Sequence, residues 1–97
     1  NAFTGRDYTG YYQNLESSRL AVSFELEADR MRGLKLNQAE FVKENKVVQE
    51  ERRLRTDDKP QGLAAERFMA SAFVSSGYHW PIIGWMNDLQ QMKVGDL

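Results

Sequence analysis

The sequence predicts an α+β chain, with an N-terminal β-hairpin followed by three amphipathic helices. Three observations carry this. Aromatic and β-branched residues crowd the first twelve positions, in Phe3, Thr4, Tyr8, Thr9, Tyr11 and Tyr12, and such residues suit strands. From about Ser17 the apolar residues change to helical spacing. Gly33 and Pro60 then divide the remainder into helix-length pieces.

Each element follows in order. Gly5-Arg6-Asp7 can turn the chain, so residues 1–4 should pair with residues 8–15 as a hairpin. A two-stranded hairpin is barely stable alone in water, so it calls for more sheet than this sequence offers. Ser17 or Ser18 can cap the next element. Leu20, Phe24, Glu27, Met31 and Leu34 share one side of a helix over 18–32, which Gly33 ends. Asn37 with Glu40 three residues on is a helix start. A strongly charged second helix runs over 38–56 and stops before Pro60. Pro60 suits the first turn of a third helix over 60–74, with Leu63, Phe68, Ala72 and Phe73 on its apolar side. Ser75-Ser76-Gly77 ends it. Tyr78 to Gly84 reads as a loop with aromatic anchors, and a short helix over 85–92 follows.

Composition narrows the function classes. The chain has 97 residues, enough for one small domain, with 41% hydrophobic and 28% charged content of ordinary soluble character. Thirteen basic and fourteen acidic residues leave a net charge of -1. That balance gives no reason to expect nucleic acid or an anionic membrane as partner. There is no cysteine, hence no disulfide and no thiolate metal site. No apolar run approaches the roughly 18 residues needed to span a bilayer. Asn1-Ala2-Phe3-Thr4 has neither the charged region nor the apolar run of a signal peptide. The sequence lacks an initiator methionine, and the expectation is that it is cut from a longer chain.

The second helix holds the chemistry. Glu44 and Glu51 are seven residues apart, and two helical turns cover about 7.2 residues. Both carboxylates therefore face the same way, about 10 Å apart along the axis. Phe41 and Val48 share their stripe, and Val47 with Leu54 forms the neighbouring apolar one. The pair thus sits at or beside the edge of the face expected to be buried. A carboxylate there needs a cation, a metal or hydrogen bonds. On spacing alone a solvated helix face explains the same residues, with Glu51 pairing Arg55 at i,i+4. His79 is the only histidine; beside Trp80 and Pro81 it reads as a packed or solvated residue, since catalytic zinc usually draws on three protein ligands. Neither a Ser-His-Asp arrangement nor a phosphate-binding loop is present.

Four segments together resemble the pitrilysin/insulinase family of zinc metallopeptidases. They are Asn1-Ala2-Phe3-Thr4 through Asp7-Tyr8-Thr9 and Tyr11-Tyr12; Glu25-Leu26-Glu27-Ala28-Asp29-Arg30-Met31; Glu44-Asn45-Lys46-Val47-Val48-Gln49-Glu50-Glu51-Arg52-Arg53; and Pro81-Ile82-Ile83-Gly84. Each is weak alone, but they occur in the family's order and spacing over nearly the whole chain. The third resembles the family's Glu-x6-Glu helix. The resemblance implies that residues 1–97 are a single, incomplete part of a larger mixed α/β peptidase domain. It implies that Glu51 is the third zinc ligand, that Glu44 is an acidic residue standing behind it, and that Asn1 and Ala2 lie on a substrate-binding edge strand. The other two ligands and the general base come in this family from a His-x-x-Glu-His motif upstream of the Asn-Ala segment, and that motif is absent here.

The implied function is part of a zinc-dependent endopeptidase, which hydrolyses peptide bonds with a zinc-activated water. The implied cofactor is zinc. The implied partners are a peptide or unfolded protein as substrate and a second homologous domain or subunit that helps enclose it. With one ligand of three, this chain alone is expected to be inactive and to bind zinc weakly. The alternative is the non-catalytic, substrate-binding half of such a peptidase, without zinc; retention of both Glu44 and Glu51 favours the catalytic half. The compartment is not written in these residues, and a bacterial source with an exported, periplasmic parent is the expectation from the family's spread.

Overall fold

The computed structural model describes residues 1–97, which divide into two compact units, Asn1–Lys35 and Leu36–Leu97. In the first, β1 (Ala2–Thr4) and β2 (Thr9–Tyr11) pair antiparallel with Ala2 opposite Tyr11, Phe3 opposite Gly10 and Thr4 opposite Thr9. The Gly5 N–H donates to the Tyr8 carbonyl at 2.9 Å, closing the turn, and the Tyr12 N–H donates to the Asn1 carbonyl at 2.9 Å. Phe3 packs edge-on to Tyr8, ring centroids 5.5 Å apart. The hairpin is the whole sheet.

A single 3-10 turn at Ser17–Arg19 leads into α1 (Leu20–Gly33). Neither Ser17 nor Ser18 caps it: Glu16 and Arg19 hold the capping positions without side-chain bonds. The turn takes both serines into the helical run, past the capping position. Polar contacts tie α1 to the hairpin. Gln13 donates to Glu27 and accepts from Ser23, while Arg30 grips Glu27 through Nε at 2.8 Å and Nη2 at 2.6 Å. The Arg30 guanidinium also lies 3.8 Å from the centre of the Tyr11 ring. Of the apolar series on α1, Leu20, Phe24, Met31 and Leu34 are all exposed.

The second unit starts where the sequence indicates. The Asn37 side chain accepts from the Glu40 N–H at 2.9 Å and caps α2 (Gln38–Arg52). The helical path does not continue evenly to residue 56. It widens at Arg53–Asp57 into a π turn, closed by the Asp58 N–H donating to the Arg53 carbonyl at 2.9 Å. After it comes α3 (Pro60–Ala72), with Pro60 in its first turn. Gly62 lets α3 approach this π turn: a Cβ there would lie 2.9 Å from the Arg55 carbonyl oxygen and 3.0 Å from the Thr56 Cα. A 3-10 turn at Gly77–His79 and a turn at Pro81–Gly84 precede α4 (Met86–Gln91), whose Leu89 is the only fully buried apolar residue of the chain. Asn45 on α2 donates to the Leu89 carbonyl at 2.9 Å. No helix is long and apolar enough to cross a membrane.

Candidate metal-ligand face of the second helix

The inward stripe of α2 is Phe41, Asn45, Val48, Gln49 and Arg52, at helical spacing, and only Arg52 is fully buried, at 4% exposure. The expected face is thus turned by about one residue. Phe41 and Val48 do point inward, but Asn45 and Arg52 complete the stripe in place of Glu44 and Glu51. Val47 and Leu54, read from sequence as an apolar stripe, are exposed. In their place polar residues with partners fill the interior, because the elements packed on α2 present carbonyls and carboxylates to it.

Arg52 is the centre of that interior. Its guanidinium donates to both Glu66 oxygens on α3, at 2.7 and 2.9 Å, and to the Gly84 carbonyl at 2.9 Å. Asp57, at the end of the π turn, lies 3.4 Å away. Two parallel N–H···O bonds fix a guanidinium and a carboxylate in one plane. The bond to Glu66 holds the Arg52 pKa above its ordinary value against the opposing effect of burial, with the charges of Glu66 and Asp57 adding to it. The Arg52 Nε is buried without a partner. Gly84 meets the clasp with φ +82, a left-handed backbone that glycine adopts without a Cβ penalty.

Glu51 adjoins this clasp on the flank of α2. Its side chain is 39% exposed and pairs with Arg55, 74% exposed, at 2.7 Å. Glu44 is exposed, two turns earlier on the same flank; at about 1.5 Å rise per residue its Cα is about 10 Å from that of Glu51 along the axis. The two carboxylates therefore do not touch. Lys46, Val47, Glu50, Leu54 and Arg55 line a shallow groove beside Glu51.

As a test of fit to zinc, Glu51 offers a carboxylate of the right chemistry whose one ion-pair partner is a solvated arginine, so it can exchange that partner for a metal. The residues present fit one ligand. No three His, Cys, Asp or Glu side chains of the chain gather to hold an ion. His79 is packed: its Nδ1 lies 2.9 Å from the Ala70 carbonyl, and its ring meets Trp80 and Trp85 edge-on at 5.2 and 5.9 Å.

Asn1 and Ala2 differ in what they present. In an antiparallel ladder, residues that exchange bonds alternate with residues whose backbone groups point away. Asn1 belongs to the first kind, its amino group and carbonyl both bonded to Tyr12 at 2.9 Å. Ala2, opposite Tyr11, therefore turns its N–H and C=O outward on the free edge of β1, and so does Thr4. Sequence reasoning missed Arg52 and Glu66. Their signal was spacing: Arg52 continues the Phe41–Asn45–Val48 series, and Glu66 lies with Leu63, Met69, Ala70 and Phe73 on the covered side of α3.

Comparison with known proteins places these elements. Residues 1–84 match the family model described as Insulinase (Peptidase family M16). The chain is 42% identical over 97 residues to the zinc protease PqqE of Helicobacter pylori, covering all of this chain and 22% of that protein. It is 33% identical over 97 residues to the uncharacterized zinc protease Rv2782c of Mycobacterium tuberculosis, covering 22% of it. It is 32% identical over 92 residues to the uncharacterized zinc protease ML0855 of Mycobacterium leprae, 95% of this chain and 20% of that one. The chain thus spans about a fifth of the length of the curated relatives it matches. With the family model matched over most of its length, this chain belongs to the insulinase family, peptidase family M16.

Proposed function

We propose that the full-length protein is a zinc-dependent endopeptidase, to which this chain supplies one zinc ligand, Glu51, and an edge strand for substrate. The observation that carries the reading is the setting of Glu51: a half-exposed carboxylate on a helix flank, beside a buried clasp and held only by a solvated arginine. Family membership and relatives named zinc proteases support it. Bound zinc would supply Lewis acidity and a reactive water at neutral pH.

The residues of this chain have simpler tasks. Glu51 would hold the zinc in place of its pair with Arg55. Val47 and Leu54, exposed beside it, offer an apolar seat for the element that brings the remaining ligands. Glu44 shapes the field behind Glu51 through whatever lies between them. Ala2 and Thr4 offer outward N–H and C=O groups to an extended peptide, which gives affinity with little demand on sequence. A peptide or unfolded segment is the substrate class such an edge accepts, and a second homologous domain or subunit would close over it.

The alternative is a non-catalytic half that holds substrate without zinc. In that reading the Glu51–Arg55 pair would simply persist. A fluorogenic peptide assay separates the two. The proposal expects the full-length protein to cleave the peptide, to lose activity to a chelator and to regain it with zinc, while this chain alone stays inactive. Absence of chelator-sensitive cleavage by the full-length protein supports the alternative.

A further inference from the structure

Arg52 is the only buried charged residue of the chain, and it directly follows Glu51. Its partners come from three other stretches: Asp57 in the π turn, Glu66 on α3 and Gly84 before α4. The π turn makes this possible. With more than four residues per turn, it brings position 57 back to the side of position 52, where an ordinary α-helix would carry it about 140° away. A helix advances about 100° per residue. Fixing Arg52 inward therefore fixes Glu51 on the flank.

Little else sets that rotation. Phe41, Asn45, Val48 and Gln49 are only half-buried. Asn45 is bonded to α4, but two turns before Glu51. The last turn of α2 is anchored by the clasp.

We propose that Arg52 is the positioning residue for the Glu51 carboxylate: its fork to Glu66 and its bond to the Gly84 carbonyl set the rotation of the last turn of α2 and so aim Glu51. The proposal rests on the assignment of Glu51 as a zinc ligand.

The test measures the zinc dissociation constant of the full-length protein by competition with a chromogenic chelator, beside thermal unfolding of the same samples. The variants are Arg52→Lys, which keeps the charge and loses the fork, Glu66→Gln, which keeps the shape and leaves Arg52 its other partners, and Glu51→Gln. Positioning predicts that Arg52→Lys and Glu66→Gln, measured well below their melting temperatures, bind zinc about 10–100-fold more weakly than the parent, as groups that orient a ligand typically do. Lower melting temperatures with unchanged zinc affinity would make the clasp purely structural and overturn the proposal. Should Arg52→Lys fail to fold, Glu66→Gln decides alone. Glu51→Gln separates the two levels. Full zinc affinity in that variant removes the ligand assignment and the proposal with it. Loss of zinc there, with parent-like affinity in folded Arg52→Lys and Glu66→Gln, removes the positioning role only.

Discussion

Replacing Arg52 by methionine removes one side of a buried ion pair and leaves the other in place. Glu66 has a side chain only 11% exposed and receives both its short bonds from Arg52. Its carboxylate would then face a largely dry interior without a cation, and the Gly84 carbonyl would lose its donor. Breaking a buried pair in this way costs about 3–5 kcal/mol. A unit the size of Leu36–Leu97 has a total stability of roughly 3–9 kcal/mol by the usual scaling, so the single change should unfold much of it. The double change Arg52→Met with Glu66→Met removes both charges together. Apolar residues of similar volume are often neutral or stabilising in place of a buried pair, and the unpartnered Arg52 Nε would no longer be a cost. The Gly84 carbonyl remains unpaired, at about 1–3 kcal/mol. The double variant should therefore recover at least about 2 kcal/mol relative to the sum of the single variants. Urea unfolding followed by tryptophan fluorescence measures this, because Trp80 and Trp85 both lie in the second unit. Additive effects, with a coupling below about 0.5 kcal/mol, would refute the reasoning.

The same unfolding assay checks three further expectations. Gly62→Ala should cost about 1–3 kcal/mol, because the new Cβ meets backbone atoms of the π turn and not a flexible side chain. Gly84→Ala should cost about 1–2 kcal/mol through its positive φ, and a neutral result would show that the turn relaxes freely. Asn37→Ala should cost about 1 kcal/mol by removing the cap on the Glu40 N–H, with helix content by circular dichroism falling in step.

Much of the fold was legible because its signals are local. The Asn37–Glu40 start and Pro60 each act within one turn of chain, and each stands where the sequence placed it. The hairpin followed from residue type, but its second strand ends at Tyr11 and does not run on to residue 15. The rotation of α2 was only partly legible: Arg52 keeps the spacing of Phe41, Asn45 and Val48, but nothing near it in sequence marks it as buried. Charged residues at a helix end are read as solvated, yet Arg52 is buried because Glu66, fourteen residues on, and the Gly84 carbonyl, thirty-two residues on, meet it there. No local pattern announces such partners. Val47 and Leu54, seven residues apart, do share one side of the helix, but it is the exposed one, beside Glu51. On α1, Glu27 alone of the expected series is covered, bonded with Ser23 to Gln13 and with Arg30, which lies over Tyr11, while Leu20, Phe24, Met31 and Leu34 are exposed.

The central claim, that Glu51 ligates zinc, is tested most directly by metal analysis of the full-length protein carrying Glu51→Gln and, separately, Glu44→Gln. A neutral amide is a poor zinc ligand, so Glu51→Gln should lose most of its zinc. Glu44 is exposed and about 10 Å along the helix from Glu51, and Glu44→Gln should weaken binding by no more than about 10–100-fold. Full zinc content in purified, folded Glu51→Gln would contradict the account.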